Sequence, residues 1–276
     1  MTQNTFQNAV DKSKKLEEEF RTLPETIITG VVGANGPGGG RMPSDKYWSL
    51  NLSLIAWRDS EGNIYNSNLI IYKYLTDLEL EQIQEKVKEE SLVRFKAKVS
   101  MNSPFGDARA ELIDVMDTPD DDELKLILAK FKEPTVVEHP LFGSFTLDKS
   151  VDWFEGKIEW LNSSIKANVT IDDNGSPDLG FATLESLYKN ANTWSKRIIE
   201  YAVSELLDLK NHFWLLEDQD EISASDFVGA MKLESITVYP DGDFEFWHND
   251  GDLFWGHSIL ISGSLIGGPN SADIPG

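Results

Sequence analysis

The sequence predicts an α+β protein in two parts: a β-rich, barrel-like part with added helices over residues 1–135, then residues 136–276, an antiparallel sheet packed on a long helix. Three observations carry this. Strand-like alternation broken by turn signals fills most of the first part. A helical periodicity of unusual length runs from Leu179 to Trp214. The third is Leu233–Leu265 (LESITVYPDGDFEFWHNDGDLFWGHSILISGSL), which is aromatic, strand-forming and acidic at once. Tyr239, Phe244, Phe246, Trp247, Phe254 and Trp255 fall within seventeen of its residues. Pro240-Asp241-Gly242 and Asn249-Asp250-Gly251 supply turn-initiating residues and glycines free to take φ > 0, which reverse a chain between strands. A three-stranded antiparallel meander follows.

In chain order, residues 3–23 read as a helix with a thin apolar stripe, Phe6, Val10, Leu16 and Phe20. An apolar strand, Thr26–Val32, leads to the glycine-rich loop Gly33–Arg41. Tyr47–Trp57 alternates with period two, placing Trp48, Leu50, Leu52 and Leu54 on one face. Asp59–Asn63 turns into a second strand, Ile64–Tyr74. Thr76-x-x-Glu79 is a capping box opening a helix to about Glu90. Leu92–Val99 and Ala108–Val115 are two further strands. Strand, strand, strand, helix, strand, strand is the order of an OB-like barrel, an order shared with many small barrels and α+β sheets. The acidic run Asp120–Glu123 opens a helix that suits its dipole, and Pro134 closes it near the boundary.

The second part starts with strands at Phe142–Leu147, Trp153–Trp160 and Ile165–Ile171. In Leu179–Trp214, Leu184, Leu187, Ala191, Trp194, Ile198, Ala202 and Leu206 recur at spacings of three and four. So long a run predicts a break around Asn190–Thr193. Ser223-x-x-Asp226 resembles a capping box for a short helix before the meander. Gly267–Gly276 reads as a loop-like tail.

Composition narrows function more than it names it. The chain has 276 residues, no cysteine and a net charge of −22. Without cysteine there is no disulfide framework and no thiolate chemistry, and the cytoplasm is the expected compartment. No stretch approaches the apolar length of a membrane helix. Residues 1–135 hold 17 Lys and Arg against 23 Asp and Glu, whereas residues 136–276 hold 8 against 24, a net of −16. Such a surface repels nucleic acid and anionic membrane, and favours a basic protein partner or bound cations; it also serves solubility.

LFGSFTLDKSVDWFEGKIEW, the helix ending YAVSELLDLKN, and the meander with YPDG and DGDLFWGHSI resemble, in this order, a bacterial domain-of-unknown-function family, DUF2262, over roughly residues 137–268. The N-terminal half is similar to the small β-rich domain that often precedes it. The resemblance brings no catalytic residues. By analogy with other small acidic α+β families, it implies an immunity-like or partner-binding role.

His248, Asp250, Asp252 and His257 form the most promising polar constellation, a set whose imidazoles and carboxylates suit zinc, manganese or iron. A four-residue turn at Asn249–Asp252 would pair His248 with Leu253, Phe246 with Trp255 and Phe244 with His257. That register puts His257 among Leu253, Trp255, Ile259 and Ile261, so a hydrogen-bonded core histidine beside a solvated turn is the competing reading. No metal or cofactor is therefore expected, with His248 and His257 as the alternative ligands and His257 as the one catalytic candidate. The rings Trp153, Phe154, Trp160, Trp247, Phe254 and Trp255 either line a cleft or fill the core. In that register Trp247 and Phe254 oppose Trp255, leaving aromatics on both sheet faces. Gly33–Arg41 lacks the Gly-Lys-Ser/Thr that grips phosphate and is expected to be a flexible loop. Tyr47, Trp57, Tyr65, Tyr72 and Tyr74 could stack on bases, but only Arg94, Lys96 and Lys98 offer a basic row. No G-x-S-x-G or H-E-x-x-H occurs. The expectation is a non-enzymatic protein-interaction module that binds through Trp247, Phe254, Trp255, Asp250 and Asp252. The alternative is a metal-dependent hydrolase or small-ligand binder with a cleft near His257.

Overall fold

The computed structural model describes residues 3–117, 119–216 and 219–276, with side chains from Gln7 onward, so the side chain of Phe6 lies outside the described residues. The chain forms two compact units, Met1–Glu133 and Pro134–Gly276.

The first unit opens with α1 (Gln3–Thr22), β1 (Thr26–Val32), β2 (Gly38–Gly40), β3 (Trp48–Arg58), β4 (Ile64–Tyr65) and β5 (Leu69–Tyr72). It continues through β6 (Tyr74–Leu75), α2 (Asp77–Lys86), β7 (Leu92–Ser100), β8 (Ala108–Val115) and α3 (Asp122–Lys132). The principal strands run β1-β7-β8-β5-β3, and β3 pairs back onto β1, closing a five-stranded barrel. The β5–β8 pair is parallel and the others are antiparallel. The OB-like order is realised, helix included.

Local chemistry explains the elements. The barrel interior takes the apolar members of each alternating strand, among them Ile28, Leu52, Ile71, Phe95 and Leu112. The Thr76 hydroxyl accepts from the Glu79 N–H at 3.3 Å, and the Glu79 carboxylate accepts from the Thr76 N–H at 2.8 Å, so the capping box forms. The helix behind it ends at Lys86, a turn earlier than its pattern suggests. Asp121 caps α3 through the Leu124 N–H at 3.1 Å and also pairs with Arg58 at 2.8 Å. The glycine-rich segment is not wholly loop: Gly38–Gly40 pairs with β3 as β2. A Cβ on Gly39 would sit 2.7 Å from a Leu80 methyl, so glycine lets this strand approach α2.

The second unit contains β9 (Val136–His139), β10 (Gly143–Asp148), β11 (Trp153–Trp160), β12 (Ser163–Thr170), α4 (Asp178–Lys189) and α5 (Ala191–Phe213). After these come α6 (Ala224–Ala230), β13 (Lys232–Val238), β14 (Asp243–Asn249), β15 (Ser258–Ser264) and β16 (Gly268–Asp273). Its eight strands lie side by side in chain order. Adjacent strands are antiparallel, as expected, except for β12 and β13, which run parallel. A parallel pair cannot be joined by a tight turn, and residues 171–231 make the crossing as three helices. Phe181, Leu184, Trp194, Ile198, Leu206 and Phe227 carry those helices onto one sheet face, against Phe145, Trp160, Ile236 and Phe246. The helical run breaks at Asn190, which caps α4 and precedes α5. The tail departs from expectation. Gly268–Asp273 pairs with β15 as an edge strand with a register shift at Ser262/Gly263, and Pro269 is tolerated because an edge strand can do without its N–H. Among the described residues, no helix is long and apolar enough to cross a membrane.

Gly180 sets how closely α4 lies on the sheet, since a Cβ there would fall 2.7 Å from both the Thr170 carbonyl oxygen and a Val169 methyl. Gly180→Ala gains about 1 kcal/mol of helix propensity but must push a helix off a strand, at a cost of roughly 1–3 kcal/mol. The expected outcome in urea unfolding is a net loss of about 1 kcal/mol; a net gain would show that the backbone contact yields freely.

Candidate functional site

The segment between β14 and β15 is built around one carboxylate. Asn249 pairs with Ser258 and His248 with Ile259, so the connection spans residues 250–257 and the expected four-residue turn is not formed. Asp250 is 2% exposed. Its carboxylate accepts the N–H groups of Asp252 at 3.2 Å, Phe254 at 2.7 Å and Gly256 at 3.2 Å. These bonds compensate its burial and wind the chain so tightly that Asp252 and Trp255 adopt φ of 68° and 58°. Lys210, also buried, donates to the Trp214 carbonyl at 2.6 Å, at the C-terminus of α5. Burial pushes its pKa down, and the negative charge of Asp250 pulls the other way.

The loop presents its rings in different directions. Phe254 is buried against Trp214 and Phe227, with centroids 5.4 and 6.2 Å away. Trp255 is 58% exposed, its ring 4.8 Å from that of Trp214. The His257 ring meets Trp214 edge-on at 5.5 Å, and the Gly276 backbone closes against it. Phe213 and Leu216, on either side of Trp214, are exposed as well. An aromatic corner therefore stands at the end of α5. The sequence that builds it is acidic: residues 201–276 hold 14 carboxylates and two cations, Lys210 and Lys232.

The expected binding residues are only partly united. Trp255 and Phe254 share the corner, Asp252 is exposed on its loop, and Asp250 is consumed as the scaffold. Phe254 joins the helix-side core, which corrects its expected place opposite Trp255. Trp247 lies on the other sheet face, donating to Glu245 at 2.9 Å. The four candidate metal ligands are dispersed: Asp250 is spent on backbone N–H groups, His257 leans on Trp214, and His248 stands in a separate cavity wall. Among the described residues, no three His, Asp or Glu side chains gather so as to hold a metal ion. Lys210 and Trp214 escaped the sequence reading. The signal for Lys210 was present, because it continues the buried every-fourth series Trp194, Ile198, Ala202, Leu206.

His248 lines a cavity of about 480 Å³ within this second unit. The β12–β13 ladder begins only at Lys166 and Ser235, beside a register shift in β13 between Leu233 and Ser235. Ser163–Ile165 and Lys232–Leu233 are thus unpaired across the gap, and α5 and α6 roof it with Ile198, Ile199 and Val228.

In the first unit the basic row is neutralised. Arg94 pairs with Asp117, Lys96 with Glu25 and Lys98 with Glu111. Trp57 is buried and stacked on Tyr65 at 4.2 Å, and Tyr72 is packed beside Phe20, so neither offers a free stacking face.

Burial pushes the His248 pKa from 6.5 down to about 4. An unfolded chain takes up this proton near 6.5 and the folded one does not. The contribution is complete above pH 6.5 and is lost as pH falls toward 4, by about 3 kcal/mol. Unfolding free energies of the wild type and His248→Leu, compared from pH 7 to 4, should converge or cross by that amount; parallel curves would contradict the depressed pKa.

Residues 12–131 match the family described as a domain of unknown function (DUF7021). Residues 139–274 match one described as an uncharacterized protein conserved in bacteria (DUF2262). No curated protein matches the chain. The unit that carries the crossover helices, the buried-aspartate loop and the cavity is thus similar to the DUF2262 family, with a match to DUF7021 ahead of it.

Proposed function

We propose that this is a non-enzymatic interaction protein of the bacterial cytoplasm whose aromatic corner binds a basic protein partner. The observation that carries the reading is Trp255. A tryptophan held at positive φ by a buried carboxylate, and more than half exposed, is a costly arrangement for filler. Partner interfaces favour such rigid, large rings, ringed by charges that steer approach. Asp252 on the same loop and Asp220 and Glu221 on the segment that follows α5 are exposed carboxylates. Lys210 is buried, so it presents no ammonium for a partner to touch. A lysine- or arginine-rich partner would meet aromatic area at the centre and carboxylates around it.

The test is capture of proteins from a bacterial lysate by the tagged full-length chain. Basic partners should be retained at low salt, where charge attraction reaches furthest, and released as salt rises. Trp255→Ala should weaken a captured partner by about 2 kcal/mol, and Asp252→Lys should weaken it mainly at low salt. Asp250 is unsuitable for charge reversal because its carboxylate folds the loop. Retention of nothing at low salt, or equal retention by both variants, would sink the reading.

A further inference from the structure

The cavity in the sheet opening is separate from the aromatic corner, and its charge runs against that of the unit around it. Trp160, Ile165, Ile198, Val228 and Phe246 make its walls apolar, and its size lies in the range of small-molecule sites. Residues 136–276 hold 24 carboxylates against 8 cations, yet among the described residues no Asp or Glu lines this space. Burial keeps the His248 imidazole in its wall uncharged at pH 7. The charged side chain of the lining is Lys232, which opens β13, is exposed, and makes no ion pair or side-chain hydrogen bond among the described residues. A lining residue that also meets water stands at the mouth. Further in, polar groups are engaged or sealed: Trp160 Nε1 donates to the Ser195 hydroxyl at 2.9 Å, and His248 Nδ1 is closed off from solvent. A ligand that suits such walls is polar at one end only.

We propose that this cavity binds a straight-chain fatty carboxylate of about ten to fourteen carbons, its chain between the apolar walls and its headgroup at the mouth beside Lys232. A methylene needs about the room of a water, roughly 30 Å³ in a liquid, so a chain of that length fills the cavity of about 480 Å³. Each methylene removed from water adds affinity. The walls therefore supply the strength of binding and Lys232 the choice of headgroup. The acidic field of the unit opposes an anion at long range, but salt screens it beyond about 8 Å, whereas the unpaired ammonium acts close by. The sheet opening makes the space available, since the parallel strands part where the ladder stops and leave side chains, not backbone pairing, to wall it.

The full-length protein would be titrated calorimetrically, at about 0.15 M salt, with laurate, octanoate and dodecyltrimethylammonium, each below its micelle concentration. Laurate should saturate at one per chain. Octanoate, four methylenes shorter, should bind ~100-fold more weakly. Dodecyltrimethylammonium has a chain of matching length and should bind at least ~5-fold more weakly than laurate, although the protein's net charge of −22 favours a cation. Lys232→Met should cost laurate about 3-fold and remove the preference between headgroups. Val228→Trp, which brings a large ring to the cavity from a half-buried helix position, should cost laurate at least ~10-fold while circular dichroism stays unchanged. No saturable laurate binding, equal or tighter binding of the ammonium amphiphile, or unchanged laurate affinity in Lys232→Met would overturn the proposal, as would unchanged affinity in a folded Val228→Trp. Should Val228→Trp fail to fold, the substitution at exposed Lys232 decides: unchanged affinity refutes the site and the expected loss supports it.

Discussion

The second unit depends on one parallel strand pair. Two neighbouring strands that run the same way force the chain to leave the sheet, cross a face and return, and here the crossing consumes residues 171–231. The three helices of that excursion decide which sheet face becomes core. They bring the C-terminal end of α5 beside the β14–β15 loop and roof the gap where the parallel ladder stops. Corner and cavity are both by-products of this single topological demand, at opposite ends of the same helix.

Much of this was legible in the sequence because it is local. Alternation in Tyr47–Trp57 and Leu92–Val99, with a capping box at Thr76, is enough to order the barrel's elements. The break at Asn190 and the cap at Ser223 are short-range chemistry too. What escaped is tertiary. Asn249-Asp250-Gly251 looks like a tight turn, and any residue-by-residue reading takes it so. Instead Asp250 is carried inward, where its carboxylate takes three N–H groups and forces an eight-residue excursion. Nothing adjacent in sequence reports that Lys210, forty positions earlier, is buried nearby. The final strand was hidden for a different reason: Gly268–Asp273 has little intrinsic strand preference, and only the open edge of β15 recruits it.

The same distinction explains the candidate residues. The polar side chains His248, Asp252 and His257 are kept apart by the long connection that the β14–β15 register leaves between the strands. Rings chosen for abundance divided between core and surface, and Trp255 alone remained prominent. Acidity, by contrast, survives folding intact, because most carboxylates stay in water wherever the strands pair. The first unit uses its own to silence Arg94, Lys96 and Lys98. The second unit has few cations with which to do likewise and keeps its field.

Both margins of the eight-stranded sheet are blunted. At one, β16 carries Pro269, which has no N–H to offer; at the other, β9 is four residues long and bracketed by Pro134 and Pro140. A foreign chain that tried to extend the sheet would find little ladder to join, which guards against stacking into fibrils. It also constrains recognition: backbone zippering at these margins is discouraged, and a visitor must be told apart by the shape and charge of what projects from the loops and helices.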